Sequence, residues 1–274
     1  MRCTRSQPGK DPREAHRPRR REITIWIGTS GWQYDSWRGD FYPKELPKAR
    51  WLEFYADRFP AVEVNNSFYR LPSEASFARW RSSTPERFLI APKVSRYITH
   101  IRRLRDAGES LALFWSRADT LRPKLGPLLF QLPPTFGADP ERLRTFMRLI
   151  PREARAAFEF RHPSWETEEV RAILDAAGAA LVLPDRPGWS VAPRVTGGWS
   201  YIRFHQGSPL GAAYPRSKLR RWADRIVELP AEDVYVFFNN DPGGAAIRDA
   251  GTMFELLEKR GAKLARPDLA SAMG

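Results

Sequence analysis

The sequence predicts an α/β fold, a TIM-like (β/α)₈ barrel in one domain. Three observations carry that prediction. Eight short β-rich apolar runs recur between residues 23 and 239. Turn residues and amphipathic stretches separate them, and alternating strand and helix implies a parallel sheet. No Gly-x-Gly-x-x-Gly fingerprint follows the first run, which counts against the alternative, an open doubly wound sheet. Eight units in roughly 250 residues match a closed barrel in length.

The runs are Ile23–Gly28, Ala61–Asn65, Phe88–Lys93, Leu128–Leu132, Ala156–Arg161, Ala179–Leu183, Tyr201–His205 and Val234–Asn239. Between the first two, Trp51, Leu52, Tyr55 and Phe59 fall on one helical face, as do Phe77 and Trp80 after the second. Helices are expected at 109–120, 139–150, 166–177, 216–228 and 244–260. The sixth unit is irregular, because 185–198 is rich in Pro and Gly and carries no helical period.

The 274 residues are 42% hydrophobic and 12% aromatic, too apolar for a disordered chain. No run reaches the ~18 apolar residues of a membrane helix, and no apolar leader core follows the basic start. A cytoplasmic protein with no membrane partner is expected. The one cysteine, Cys3, removes internal disulfides, cysteine-rich zinc sites and iron–sulfur ligation. Residues 1–21 hold eight Lys and Arg against Asp11 and Glu14, with almost no apolar content. They are expected to be a disordered basic tail, with the barrel over 22–264 and a short tail over 265–274. The tail takes about +6 of the formal net charge of +13, which leaves about +7 on the barrel.

Residues two apart in a strand share a face. That parity pairs Glu63 with Asn65, Glu159 with Arg161, and Arg203 with His205, and sends Val62, Val64, Phe158, Phe160, Ile202 and Phe204 to the other side. Apolar side chains belong against the helices, so the charged sets belong inside the barrel. Lys93, Gln131, Asp185 and Asn239 add a polar residue at the ends of strands 3, 4, 6 and 8. Interior polar groups are costly unless paired or used, and these fall at the strand ends where barrel enzymes place their active sites.

Two loops complete the expected site. The stretch Gly28–Pro43 carries Trp32, Tyr34 and Trp37, rings able to cap the mouth or stack on a ligand. After strand 8, Gly243 and Gly244 open a helix whose free N–H groups suit an anion. Three cations, Lys93, Arg161 and Arg203, stand among Glu63, Glu159, Asp185 and His205. They disfavour a metal and suit an anionic substrate. No cofactor motif is present, and no metal or cofactor is expected.

Several motifs together resemble one family. These are Gly-Thr-Ser-Gly-Trp-x-Tyr (28–34), Phe-Tyr-Pro (41–43), Val-Glu-Val-Asn-Asn-Ser-Phe-Tyr (62–69), Ile-Thr-His (98–100), Gln-Leu-Pro-Pro (131–134), Glu-Phe-Arg-His-x-Ser-Trp (159–165), Tyr-Ile-Arg-Phe-His (201–205) and Phe-Asn-Asn (238–240). The chain resembles the YecE-like family, domain of unknown function 72, over about residues 23–260. Asn66-Ser67 stands where that pattern has Ser-Thr, and Asp249 where it has Asn. The resemblance implies a TIM-like barrel and supplies no reaction.

The expected function is an enzyme of hydrolase or lyase type acting on a small phosphorylated or other anionic substrate at the C-terminal mouth. Glu63, Glu159 and His205 are its expected acid–base groups. Lys93, Gln131, Arg161, Asp185, Arg203, Asn239, Trp32 and Tyr34 are expected to bind substrate, with Gly243 and Gly244 on the anion. Three alternatives stand beside it: a glycosidase using the Glu63–Glu159 pair, a metal-dependent hydrolase or isomerase, and a non-enzymatic nucleic-acid binder. The sequence leaves the oligomeric state open.

Overall fold

The computed structural model describes residues 23–186, 194–207 and 211–267. Nearly all of both expected tails lies outside that range. The barrel strands are β1 (Thr24–Ser30), β2 (Ala61–Val64), β3 (Leu89–Pro92), β4 (Leu128–Gln131), β5 (Ala156–Glu159), β6 (Ala180–Asp185), β7 (Ser200–Phe204) and β8 (Asp233–Phe238). Parallel ladders join them in the order β3-β2-β1-β8-β7-β6-β5-β4. The cylinder closes between β3 and β4 through two isolated bridges, Ile90 to Leu125 and Lys93 to Leu129. The hydrogen bond from Val94 N to Leu129 O, 2.9 Å, spans the same seam. A short strand β9 (Lys263–Leu264) pairs with the start of β1.

The helices are α1 (Trp51–Ala56), α2 (Asn66–Tyr69), α3 (Glu74–Ser82), α4 (Gly108–Ala118), α5 (Pro140–Met147), α6 (Glu168–Ala176), α7 (Arg216–Ile226) and α8 (Ala245–Glu258). Local chemistry starts three of them. Ser73, Asp139 and Thr167 each accept a backbone N–H from the first helical turn, and Pro140 follows Asp139 where its missing N–H costs nothing. Between β6 and β7 the described residues form no helix, as the Pro- and Gly-rich composition implies. Two elements have no apolar period to announce them, α2 and a π-helical turn at Tyr97–Ile101.

The strand parity sorts the core. Val62, Val64, Ile202, Phe204, Val236 and Phe238 pack outward with α1, α7 and α8. Phe130 and Phe158 pack with α4, α5 and α6 in a second outer cluster. The interior is filled asymmetrically, with Ala61, Ala91, Ala157 and Ala180 on one side and Tyr201, Tyr235 and Phe237 on the other. Small residues face large ones, which fills a narrow barrel without voids. Gly28 is required where β1 meets β2, since a Cβ there would lie 2.0 Å from Ala61 O.

Candidate functional site

Above the apolar interior, at the C-terminal ends of the strands, sits a layer of charge. Arg203 on β7 is its centre and is almost completely buried. Its Nε and Nη2 donate to Glu63 on β2 at 2.8 and 2.7 Å, a bidentate pair, and its Nη1 donates to Glu159 on β5 at 2.5 Å. Tyr201, two residues before Arg203, donates its hydroxyl to Glu63 Oε2 at 2.7 Å. Arg161 Nε donates to Glu159 Oε1 at 3.1 Å.

Burial alone would raise both carboxyls, but Arg203 overrides it. Glu63 is held below the usual carboxylate range, and Glu159 well below it, with Arg161 adding to the effect. Burial alone would weaken the guanidinium of Arg203, and the two carboxylates beside it reverse that. All three groups are therefore ionised. This gives Glu63 and Glu159 a different part from the acid–base role expected of them, because each carboxylate is committed to Arg203. Nor is Arg203 open to an anion, since it is almost completely buried with three of its five N–H groups on those carboxylates.

Lys93 lies just past β3, 8% exposed. Its Nζ donates to Gln131 Oε1 on β4 at 2.9 Å and rests 3.9 Å from the Phe68 ring centroid. Among the described residues it forms no ion pair. Burial, then the repulsion of Arg203, pulls its pKa down from 10.5 to about 7. His205 follows β7. Asn239 Nδ2 stands 3.3 Å from its Nδ1, so donation from the amide puts the ring proton on Nε2. That nitrogen is 3.3 Å from Glu159 Oε1 yet makes no hydrogen bond of good geometry. Burial lowers the imidazole pKa, which keeps His205 neutral at pH 7. Asn65 completes the arc, its Nδ2 3.4 Å from Asn239 Oδ1, while its own Oδ1 is buried without a partner among the described residues.

A family model described as "Protein of unknown function DUF72" matches residues 26–272. The chain belongs to the DUF72 family. It is similar to the UPF0759 protein YunF of Bacillus subtilis (strain 168), 29% identical over an alignment 272 positions long that covers 85% of this chain and 95% of that protein. It is also similar to the UPF0759 protein YecE of Escherichia coli (strain K12), 30% identical over 176 residues, 62% of each. A crystal structure of a DUF72 family protein from Thermotoga maritima MSB8 superposes with a TM-score of 0.78, at 29% identity, over 86% of this chain and 99% of that one. One from Enterococcus faecalis V583, 21% identical, shares the fold with a TM-score of 0.74, over 91% and 99%.

The remaining expected residues of this DUF72 chain divide between the mouth and the core. Asp185 is a correction. On β6 it shares a face with Leu183, which packs in the outer cluster, so its carboxylate turns out of the barrel. There it takes Lys218 Nζ at 2.5 Å, the Tyr214 hydroxyl at 3.1 Å and the Trp222 indole N–H. Trp32 is a second correction. It is buried edge-on against Trp80, an apolar anchor of the loop rather than a platform. Tyr34 is half-buried near the mouth, its hydroxyl donating to Ser30 O at 2.6 Å. Burial, Asp241 and Glu63 push its pKa up to about 12, so it stays protonated. Gly243 and Gly244 both adopt φ of +67°, but Gly244 N–H already donates to Asp241 O at 2.8 Å. Among the described residues no three His, Cys, Asp or Glu side chains gather in a group able to hold a metal.

Sequence reasoning passed over two contributors. Tyr201 has the parity of Arg203 and was hidden by its apolar ring. Phe68, the face under Lys93, sits on α2, which lacks a period.

Proposed function

We propose that this DUF72 protein binds a small anionic substrate, phosphorylated or carboxylated, at the C-terminal mouth, with Lys93 and His205 exchanging protons with it. The observation that carries this reading is the charge balance of the buried layer. Arg203 and Arg161 already neutralise Glu63 and Glu159, so a proton on Lys93 is a positive charge in excess, with no counter-ion of its own among the described residues. An anion at Lys93 supplies it. The amine is poised near neutrality, where a group gives and takes protons most readily. Asn65 Oδ1, buried and without a partner among the described residues, is further support, since such polar atoms are rare. The glycosidase reading is less favoured, because both carboxylates are held ionised and neither is left as an acid.

The test is a titration of the Lys93 amine, followed by NMR in protein carrying labelled lysine, with phosphate, sulfate and a short dicarboxylate in turn. A bound anion stabilises the ammonium, so the Lys93 pKa should rise, and anion affinity should increase as pH falls through 7. Lys93→Met should abolish the response. An amine whose titration no anion moves would overturn the reading.

A further inference from the structure

Beside the mouth, the loops after β3 and β4 line an open cavity of about 720 Å³. Its wall includes His100, Arg102, Arg103, Arg105, Phe136 and Arg142. Two of these arginines have carboxylate partners: Arg102 meets Asp106 at 3.1 Å and Arg142 meets Asp139 at 2.8 Å. Among the described residues the other two form no ion pair, Arg103 donating to the Thr135 hydroxyl at 3.3 Å. The guanidiniums of Arg103 and Arg142 stand 6.0 and 5.3 Å from the Phe136 ring centroid. Burial, then the positive charges of Lys93, Arg161 and Arg96, drives the His100 pKa down to about 4, so its imidazole is neutral and adds no charge to the wall.

The backbone here is unusual. Arg103, Leu104 and Asp106 have φ of 49°, 67° and 44°, a left-handed region that non-glycine residues seldom occupy. Leu104 is buried and its N–H donates to Ile98 O at 3.0 Å, which pins the segment. Next to the cavity, Tyr69 is 73% exposed, Tyr97 46% and Ile101 59%. The Tyr69 ring lies edge-on to Phe68 at 5.1 Å, and Phe68 edge-on to His100 at 4.8 Å, so these rings are continuous with the cavity wall.

We propose that this cavity and its neighbouring tyrosines bind single-stranded nucleic acid, with Arg103 and Arg105 on phosphates and Tyr69 and Tyr97 under bases. Guanidinium groups without counter-ions match phosphate oxygens. Exposed tyrosine faces accept any base, and the pairing of a basic groove with stacking rings is how single strands are held. A small phosphorylated ligand would use the arginines and leave both rings idle. The proposal does not rest on the mouth.

Fluorescence anisotropy of the full chain with a fluorescein-labelled 15-mer of thymidylate, at several salt concentrations, tests it. Binding should weaken steeply with salt. Arg105→Glu combined with Arg103→Gln should weaken it at least tenfold and flatten the salt slope by about 1.4, two contacts on a single strand. Arg105→Glu alone, on an exposed residue outside the left-handed positions, should lose part of this with an unchanged thermal melt. Tyr69→Ala with Tyr97→Ala should weaken binding several-fold and leave the slope unaltered. Unchanged affinity in the arginine variants would overturn the proposal and place any binding in the basic residues 1–21. Unchanged affinity in the tyrosine variants, with pyrophosphate displacing the strand completely, would overturn it in favour of a small phosphorylated ligand.

Discussion

Arg203 and its two carboxylates form one electrostatic unit, and removing the centre leaves Glu63 buried without its cation and Glu159 with Arg161 alone. Arg203→Ala should therefore destabilise the fold by about 3–5 kcal/mol, the loss expected when a buried pair is broken on one side. Urea unfolding measures it; a loss under 1 kcal/mol would show that water reaches the carboxylates. The pH dependence separates the ions. Glu63 and Glu159 have folded pKa values below the ordinary 4.5, so their stabilisation is present above that value and is lost as pH falls through the folded values. Lys93 acts in another window. Between about 7 and 10.5 the unfolded chain holds the proton and the folded chain does not. Stability from this group thus climbs as pH rises from 7 to 10.5, and Lys93→Met should remove that part of the slope. Urea midpoints measured across this range in both proteins provide the comparison, and identical slopes would contradict it.

Within the elements, parity made most of the site legible from the sequence. Glu63, Glu159, Arg161, Arg203 and His205 come together as their alternation requires, because apolar neighbours on the opposite face leave each strand one way to lie. Asp185 breaks the pattern for a reason the sequence also contains. It shares its face with Leu183 and Leu181, and the inward positions of β6 are Ala180, Val182 and Pro184. The chemistry of the site residues was harder to foresee than their position. Which cation a carboxylate chooses depends on distances across the barrel, so Arg203 read as an anion holder. The glycine at the start of the Gly28–Tyr34 motif is an element-scale requirement. Gly28→Ala drives a methyl into Ala61 O and should cost about 1–3 kcal/mol or more by overpacking. A thermal melt would register it, and an unchanged melting temperature would mean that β1 and β2 can separate freely.

For the molecule as a whole, the ladders are not equally secure. β1 and β8 pair through six residues and β7 and β8 through five, whereas β5 and β6 share two pairs and β3 and β4 meet only at isolated bridges. The β4–β5 pair lies between the two weakest joints and packs outward on its own apolar cluster. Native-state hydrogen exchange should show amides of β4 and β5 opening together at a lower free energy than those of β1, β7 and β8. One common opening energy for all strands would refute that division. The weakest joint is also where Lys93 and Gln131 touch, one from each side. Their hydrogen bond is a clasp on a hoop that the backbone fastens loosely there. A molecule gripping both side chains would tighten the whole cylinder, so occupancy of the mouth would be felt as rigidity along β4 and β5, down to residues it does not touch.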